Sequence, residues 1–178
     1  MTELPAWDEL LHGKGCPLCA PREKYTQLLH FVTTLSVSSL YLSANQAYRG
    51  TCALIYDLGH AVHPGQLDSD QWRLFADDLR RAEAAVRQVF SPDHMNLESL
   101  GNSVPHLHFH IVPRYKNDPR WGHPIWMSRR TEMPDVRLQN SEYVALARDI
   151  DLALNVPHVQ SDESSVGSVP ESGDHNAR

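Results

Sequence analysis

The 178-residue chain has a 41% hydrophobic fraction, enough to bury one compact core. Its net charge of −6, with histidines neutral, argues against a broad basic face for nucleic acid. A local anion site needs only a few Arg, Lys and backbone N–H groups and is not excluded. No apolar run approaches the ~20 residues that span a bilayer. The N-terminus, "MTELPAWDELLHGKG", lacks the basic and apolar regions of a signal peptide. Three cysteines are an odd count, and two form Cys16-Pro17-Leu18-Cys19, which favours a reducing compartment, the cytoplasm, over a disulfide scaffold.

In chain order, residues 1–24 read as an irregular segment punctuated by Gly and Pro and carrying the cysteine pair. Residues 25–158 follow as the main folded domain. "SVSSLYLS" (Ser36–Ser43) alternates with period 2, placing Ser38, Leu40 and Leu42 on one face and Val37, Ser39 and Tyr41 on the other. "ANQAYRG" is a turn and "TCALIYD" (Thr51–Asp57) a second strand. Trp72, Phe75, Leu79, Ala82, Val86 and Phe90 recur at helical spacing, with the intervening charges forming a solvated face. Asp68 with Gln71 three residues on resembles a capping box at the start of this helix, and Ser91-Pro92 ends it.

"HMNLESLG" and "VPHLHFHIVPRY" read as two further strands, "KNDPRWGHPIW" as a loop, and Ser141 to Asn155 as a last amphipathic helix. Residues 159–178 have few large apolar groups and are expected to be disordered. The order of elements gives an α+β domain built on an antiparallel β-sheet, with one long and one C-terminal helix.

His106, His108 and His110 occupy alternate positions, which on a strand share one face opposite Leu107, Phe109 and Ile111. At ~3.3 Å per residue the outer two Cα atoms stand roughly 13 Å apart, too far for all three rings to reach one ion. Three buried structural imidazoles in a row would each need a donor and an acceptor. A division of roles is the better reading. A central imidazole can attack phosphorus when one nitrogen carries a lone pair and the other is held as N–H by an acceptor.

"HLHFHIV" resembles the His-φ-His-φ-His-φ-φ signature (φ apolar) of the histidine triad family. "NQAYRGTCALI", the helix from Gln66 to Phe90, "MNLESLGNSVPHLHFHIVPRY" and "DPRWGHPIW" are similar to a bacterial, diadenosine polyphosphate hydrolase-like branch of it. The resemblance covers roughly residues 14 to 127. It implies a HIT-like fold and nucleotide hydrolase or nucleotidyltransferase chemistry at an α-phosphate, of a dinucleoside polyphosphate or a nucleoside phosphoramidate. His108 would be the nucleophile, forming a nucleotidyl-histidine that water hydrolyses, and His110 would hold the phosphate. Asn102 and Ser103, in the position of a "GQS"-like turn, would hydrogen-bond the phosphate, with Asn96 a further candidate. Backbone N–H groups near Gly101–Ser103 and the Arg114 charge would stabilise the growing negative charge. The Gly-His found before the second strand's core in other branches is Gly50-Thr51 here. The rival expectation is a nucleotide-binding or scaffolding protein with little turnover.

By itself Cys16-x-x-Cys19 leaves a redox or a metal role open, and supplies two of the four donors a zinc needs. Some triad relatives, and the related galactose-1-phosphate uridylyltransferases, hold zinc with two such cysteines and two histidines. The resemblance therefore implies a structural zinc on Cys16, Cys19, His106 and His60, with His63 as the fallback for His60, and no organic cofactor. Cys52 is expected in the core. The implied partner is a nucleotide substrate, with no nucleic acid and no membrane. Family members are often dimers, which makes a homodimer an expectation.

Overall fold

A computed structural model describes residues 4–19, 27–118, 120–127 and 134–156. The expected tail, residues 159–178, and part of the N-terminal segment lie outside these. The elements are α1 (Trp7–Leu11), β1 (Leu29–Thr34), β2 (Ser38–Ser43), β3 (Cys52–Tyr56), α2 (Ser69–Phe90), β4 (His94–Glu98), β5 (His108–Arg114) and α3 (Asn140–Leu154). The strands form one antiparallel sheet in the order β1-β2-β3-β5-β4. No described helix is long and apolar enough to cross a membrane.

Alternation in β2 sends Leu40 and Leu42 to the face covered by the helices, where they meet Leu54, Phe75, Ala82, Val86, Ile111 and Ile150 in the main core. Tyr41 turns to the opposite face with Ala53 and Ile55. The long helix starts as its capping residues predict: Asp68 Oδ1 accepts from Gln71 N at 2.8 Å, and Gln71 Oε1 accepts from Asp68 N at 3.2 Å. It ends at Ser91, which takes the left-handed conformation at φ +45° just before Pro92. In the β2–β3 turn, Gly50 has φ +89°, and a Cβ there would stand 2.7 Å from the Phe90 ring. That approach locks the turn under the end of α2, and only glycine allows it.

Asp78 on α2 is fully buried, yet its carboxylate is satisfied. It accepts from Ser36 N at 3.0 Å, Val37 N at 2.9 Å and Ser38 Oγ at 2.8 Å, clamping the β1–β2 turn to the helix. Asp78→Ala would leave these donors unpaired in a closed environment. The expected loss is about 3 kcal/mol of stability, at ~1–3 kcal/mol per orphaned polar group with partial relaxation. Urea unfolding measures it, and Asp78→Asn, which keeps one acceptor oxygen, should lose less.

Three features depart from the sequence reading. The segment Leu29–Thr34 is a strand, though it had no strand signal, and Trp7–Leu11 is a short helix within the segment read as irregular. The third departure bears on the site. The last strand begins at His108, not near Val104, so His106 does not continue it. His106 N donates to Val104 O at 2.9 Å in a tight turn. Leu107 then bridges Ala61 O and Tyr56 N.

Candidate active site and metal cluster

Along β5, Phe109 and Ile111 face the helices, while His108, His110 and Arg114 face the other side of the sheet. Cross-strand pairing sets their neighbours. Ile55 lies beside His108 and Ala53 beside His110 on β3, with Glu98 beside His110 and Asn96 beside Val112 on β4.

The turn at His106 brings its backbone carbonyl to His108 Nδ1 at 2.6 Å. A carbonyl only accepts, so Nδ1 carries the proton and Nε2 keeps its lone pair. The His108 and His110 rings meet edge to face with centroids 5.0 Å apart. Burial lowers the pKa of His108, and burial with the neighbouring His108 lowers that of His110 to about 4, so both rings are neutral near pH 7. Trp126 stands beside His110 with ring centroids 5.1 Å apart, and its Nε1–H donates to Glu98 Oε2. Asn96 Nδ2 donates to Glu98 Oε1 at 3.4 Å.

The His106 ring belongs to a second constellation. Its Nε2–H donates to Tyr56 O at 2.8 Å, which leaves Nδ1 bare toward Cys16 Sγ at 3.6 Å and Cys19 Sγ at 3.4 Å. His60 Nδ1 lies 3.4 Å from Cys19 Sγ. One donor atom from each of Cys16, Cys19, His60 and His106 falls within 4.8 Å of every other. A tetrahedral ion with Zn–S ~2.3 Å and Zn–N ~2.0–2.1 Å places its sulfur and nitrogen donors about 3.5 Å apart, so these spacings fit. His60 Nε2 is buried without a partner, so the polar contacts of this ring are all on the cluster side. Gly13, at φ +77°, lies against that ring: a Cβ there would stand 2.9 Å from His60 Cγ. Partial desolvation and the adjacent Cys16 push the Cys19 thiol up to about 11. His63 is exposed and instead caps the turn Pro64–Gln66. Cys52 is buried in the core, where desolvation pushes its thiol pKa up.

The remaining candidates are placed differently. Asn102 and Ser103 are exposed on the connection between β4 and β5. Arg114 is only 3% exposed, and its guanidinium is engaged by its own loop. Nε and Nη2 donate to Asp118 at 2.8 and 3.1 Å, Nη1 to His123 O at 2.8 Å and Nη2 also to Arg120 O at 2.6 Å. These four bonds tie the 118–123 loop to β5 and use all but one of the guanidinium N–H groups. Sequence reasoning missed Glu98. Its position opposite His110 depends on the β4–β5 register, which the intervening nine-residue connection does not fix.

Compared with known proteins, residues 33–117 match the HIT domain, a span that includes all three triad histidines and His60 but stops short of Cys16 and Cys19. The fold is that of HIT proteins, and the matched span covers just under half of the chain. A histidine triad protein from Bradyrhizobium japonicum is 22% identical, with a TM-score of 0.67, covering 78% of this chain and 99% of that one. Histidine triad proteins from Marinobacter aquaeolei (21% identical, TM-score 0.66) and Sinorhizobium meliloti (18% identical, TM-score 0.65) each cover 76% of this chain. They are themselves covered to 95% and 97% respectively. No curated protein matches the sequence.

Proposed function

We propose that this protein is a nucleotide hydrolase or nucleotidyltransferase that attacks an α-phosphate through a nucleotidyl-histidine on His108. HIT-domain proteins are generally nucleotide-binding hydrolases or transferases. The observation that carries the reading is the His108 Nδ1–H bond to His106 O, which leaves Nε2 as a nucleophile of fixed tautomer and direction. Nε2 forms a bond to phosphorus as the bond to the leaving group breaks, and the leaving group departs with the electron pair and takes a proton from water. Water then attacks the same phosphorus, and the P–N electron pair returns to Nε2. Neutral His110 donates an N–H to a phosphate oxygen, with Asn96, Asn102 and Ser103 as further donors.

Cys16, Cys19, His60 and His106 would hold a zinc ion. With these four donors such an ion would be structural, tying the N-terminal segment to the sheet, with no coordination position left for water. Thiols in that role must stay reduced, which suits a reducing compartment such as the cytoplasm. The substrates considered are dinucleoside polyphosphates and nucleoside phosphoramidates. Rapid denaturing quench during turnover of each should reveal a nucleotidyl group on His108 by peptide mass spectrometry. No adduct and no turnover with either class would defeat the proposal.

A further inference from the structure

Beyond the His110–Glu98 pair, the same face of β4 and β5 continues into a cavity of about 330 Å³. Its floor includes Asn96, His94 and Arg114, and its wall is formed by Trp121, Gly122 and His123. This volume is at the small end of the ~300–1,000 Å³ typical of ligand pockets, the scale of a single nucleoside. Asn96 joins the two regions: it lines the cavity and also donates to Glu98, the cross-strand neighbour of His110. From His110 to Arg114 the strand runs four residues, roughly 13 Å, a separation that an extended phosphate chain with its ribose can span.

The wall is built rather than incidental. Arg114 fixes the carbonyls of Arg120 and His123, on both sides of Trp121–Gly122, and Asp118 neutralises its charge. Gly122 turns the chain at φ +87°. Between these fixed points Trp121 remains 41% exposed, and among the described residues its indole has no ring or hydrogen-bond partner. Trp126, by contrast, stands against His110 and is held by Glu98. A buried ion pair that holds a large aromatic ring open to solvent over a nucleoside-sized space presents a stacking surface.

We infer that this cavity is a leaving-group subsite, in which Trp121 stacks the heteroaromatic ring at the far end of the phosphate chain while the α-phosphate lies at His108 and His110. The inference rests on the reading of those histidines as the reacting pair. It makes Trp121 a specificity-determining residue that favours substrates whose leaving group is itself a nucleotide over those that release a small amine.

The test compares diadenosine triphosphate with adenosine 5′-phosphoramidate in wild type, Trp121→Ala and Trp121→Phe. Base stacking on an aromatic side chain is worth enough that the ratio of kcat/KM for the first substrate to that for the second should fall about tenfold in W121A and recover in W121F. An unchanged ratio overturns the subsite. Equilibrium binding of a methylene-bridged diadenosine triphosphate analogue and of AMP reads the same question without turnover. The analogue should bind wild type more tightly than AMP does, and W121A should remove the difference; an advantage that survives in W121A overturns the subsite. Trp121-dependent binding without any turnover would refute the catalytic reading and leave the subsite standing.

Discussion

Replacing His108 by alanine should lower turnover of every nucleotide substrate by at least about 10⁴-fold, the scale seen when a covalent nucleophile is removed. The reason is geometric. His108 has Nδ1–H held by the His106 carbonyl and Nε2 bare, and burial keeps the ring neutral. His110, its neighbour on the strand, lacks that combination, standing edge-on to His108 and against Trp126. The ring is only half-buried, so its removal should cost about 1–2 kcal/mol, as a truncated side chain with one hydrogen bond does. The variant should therefore fold and bind nucleotide with affinity within a few-fold of wild type by calorimetry. A binding or scaffolding protein would instead show the same weak turnover before and after the change. Turnover within tenfold of wild type in His108→Ala would remove this residue from the reaction.

What the sequence revealed of the fold follows from where each signal is local. The Asp68–Gln71 cap, the helical spacing from Trp72 to Phe90 and the alternation in Ser38–Ser43 are satisfied within a few residues, and each forms as the pattern predicts. Leu29–Thr34 was not legible. It is an edge strand with a bulge between Phe31 and Thr33, so its faces switch midway and no period-2 pattern survives. The strand order, with β5 between β3 and β4, rests on pairings such as Ile55 with His108, fifty-three positions apart, and no local pattern encodes them.

The site divides the same way. Alternation separated the histidines from Phe109 and Ile111, and distance alone ruled out one ion for all three. Strand geometry nevertheless placed His106 on the same extended run as His108. The turn at Val104–His106 instead directs its ring to the cysteines and its carbonyl to His108. Arg114 was expected to lend its charge to the phosphate, since no local pattern shows which groups engage it. Its partners, Asp118 and two carbonyls, become visible only once the loop folds back over β5.

Removing the metal cluster should have the second large effect. Protein purified without added zinc should carry about one ion per chain, and Cys16→Ser or Cys19→Ser should reduce that below ~0.2, since a closed site holds its ion tightly only with all four donors. The cluster joins three remote parts of the chain, at residues 16–19, 60 and 106, and Gly13 packs on the His60 ring. Losing it should lower Tm by about 10 °C or more, taking several kcal/mol at ~2–4 °C per kcal/mol for a chain of this size. His63→Ala, which alters an exposed residue outside the cluster, should keep both zinc and Tm. Chelation should also slow turnover, through position alone. His106 donates Nε2–H to Tyr56, directs Nδ1 to the thiols and offers its carbonyl to His108, so releasing its ring loosens the acceptor that sets the nucleophile's tautomer. Unchanged Tm after chelation, together with full zinc content in Cys16→Ser, would show that these four residues do not hold the ion.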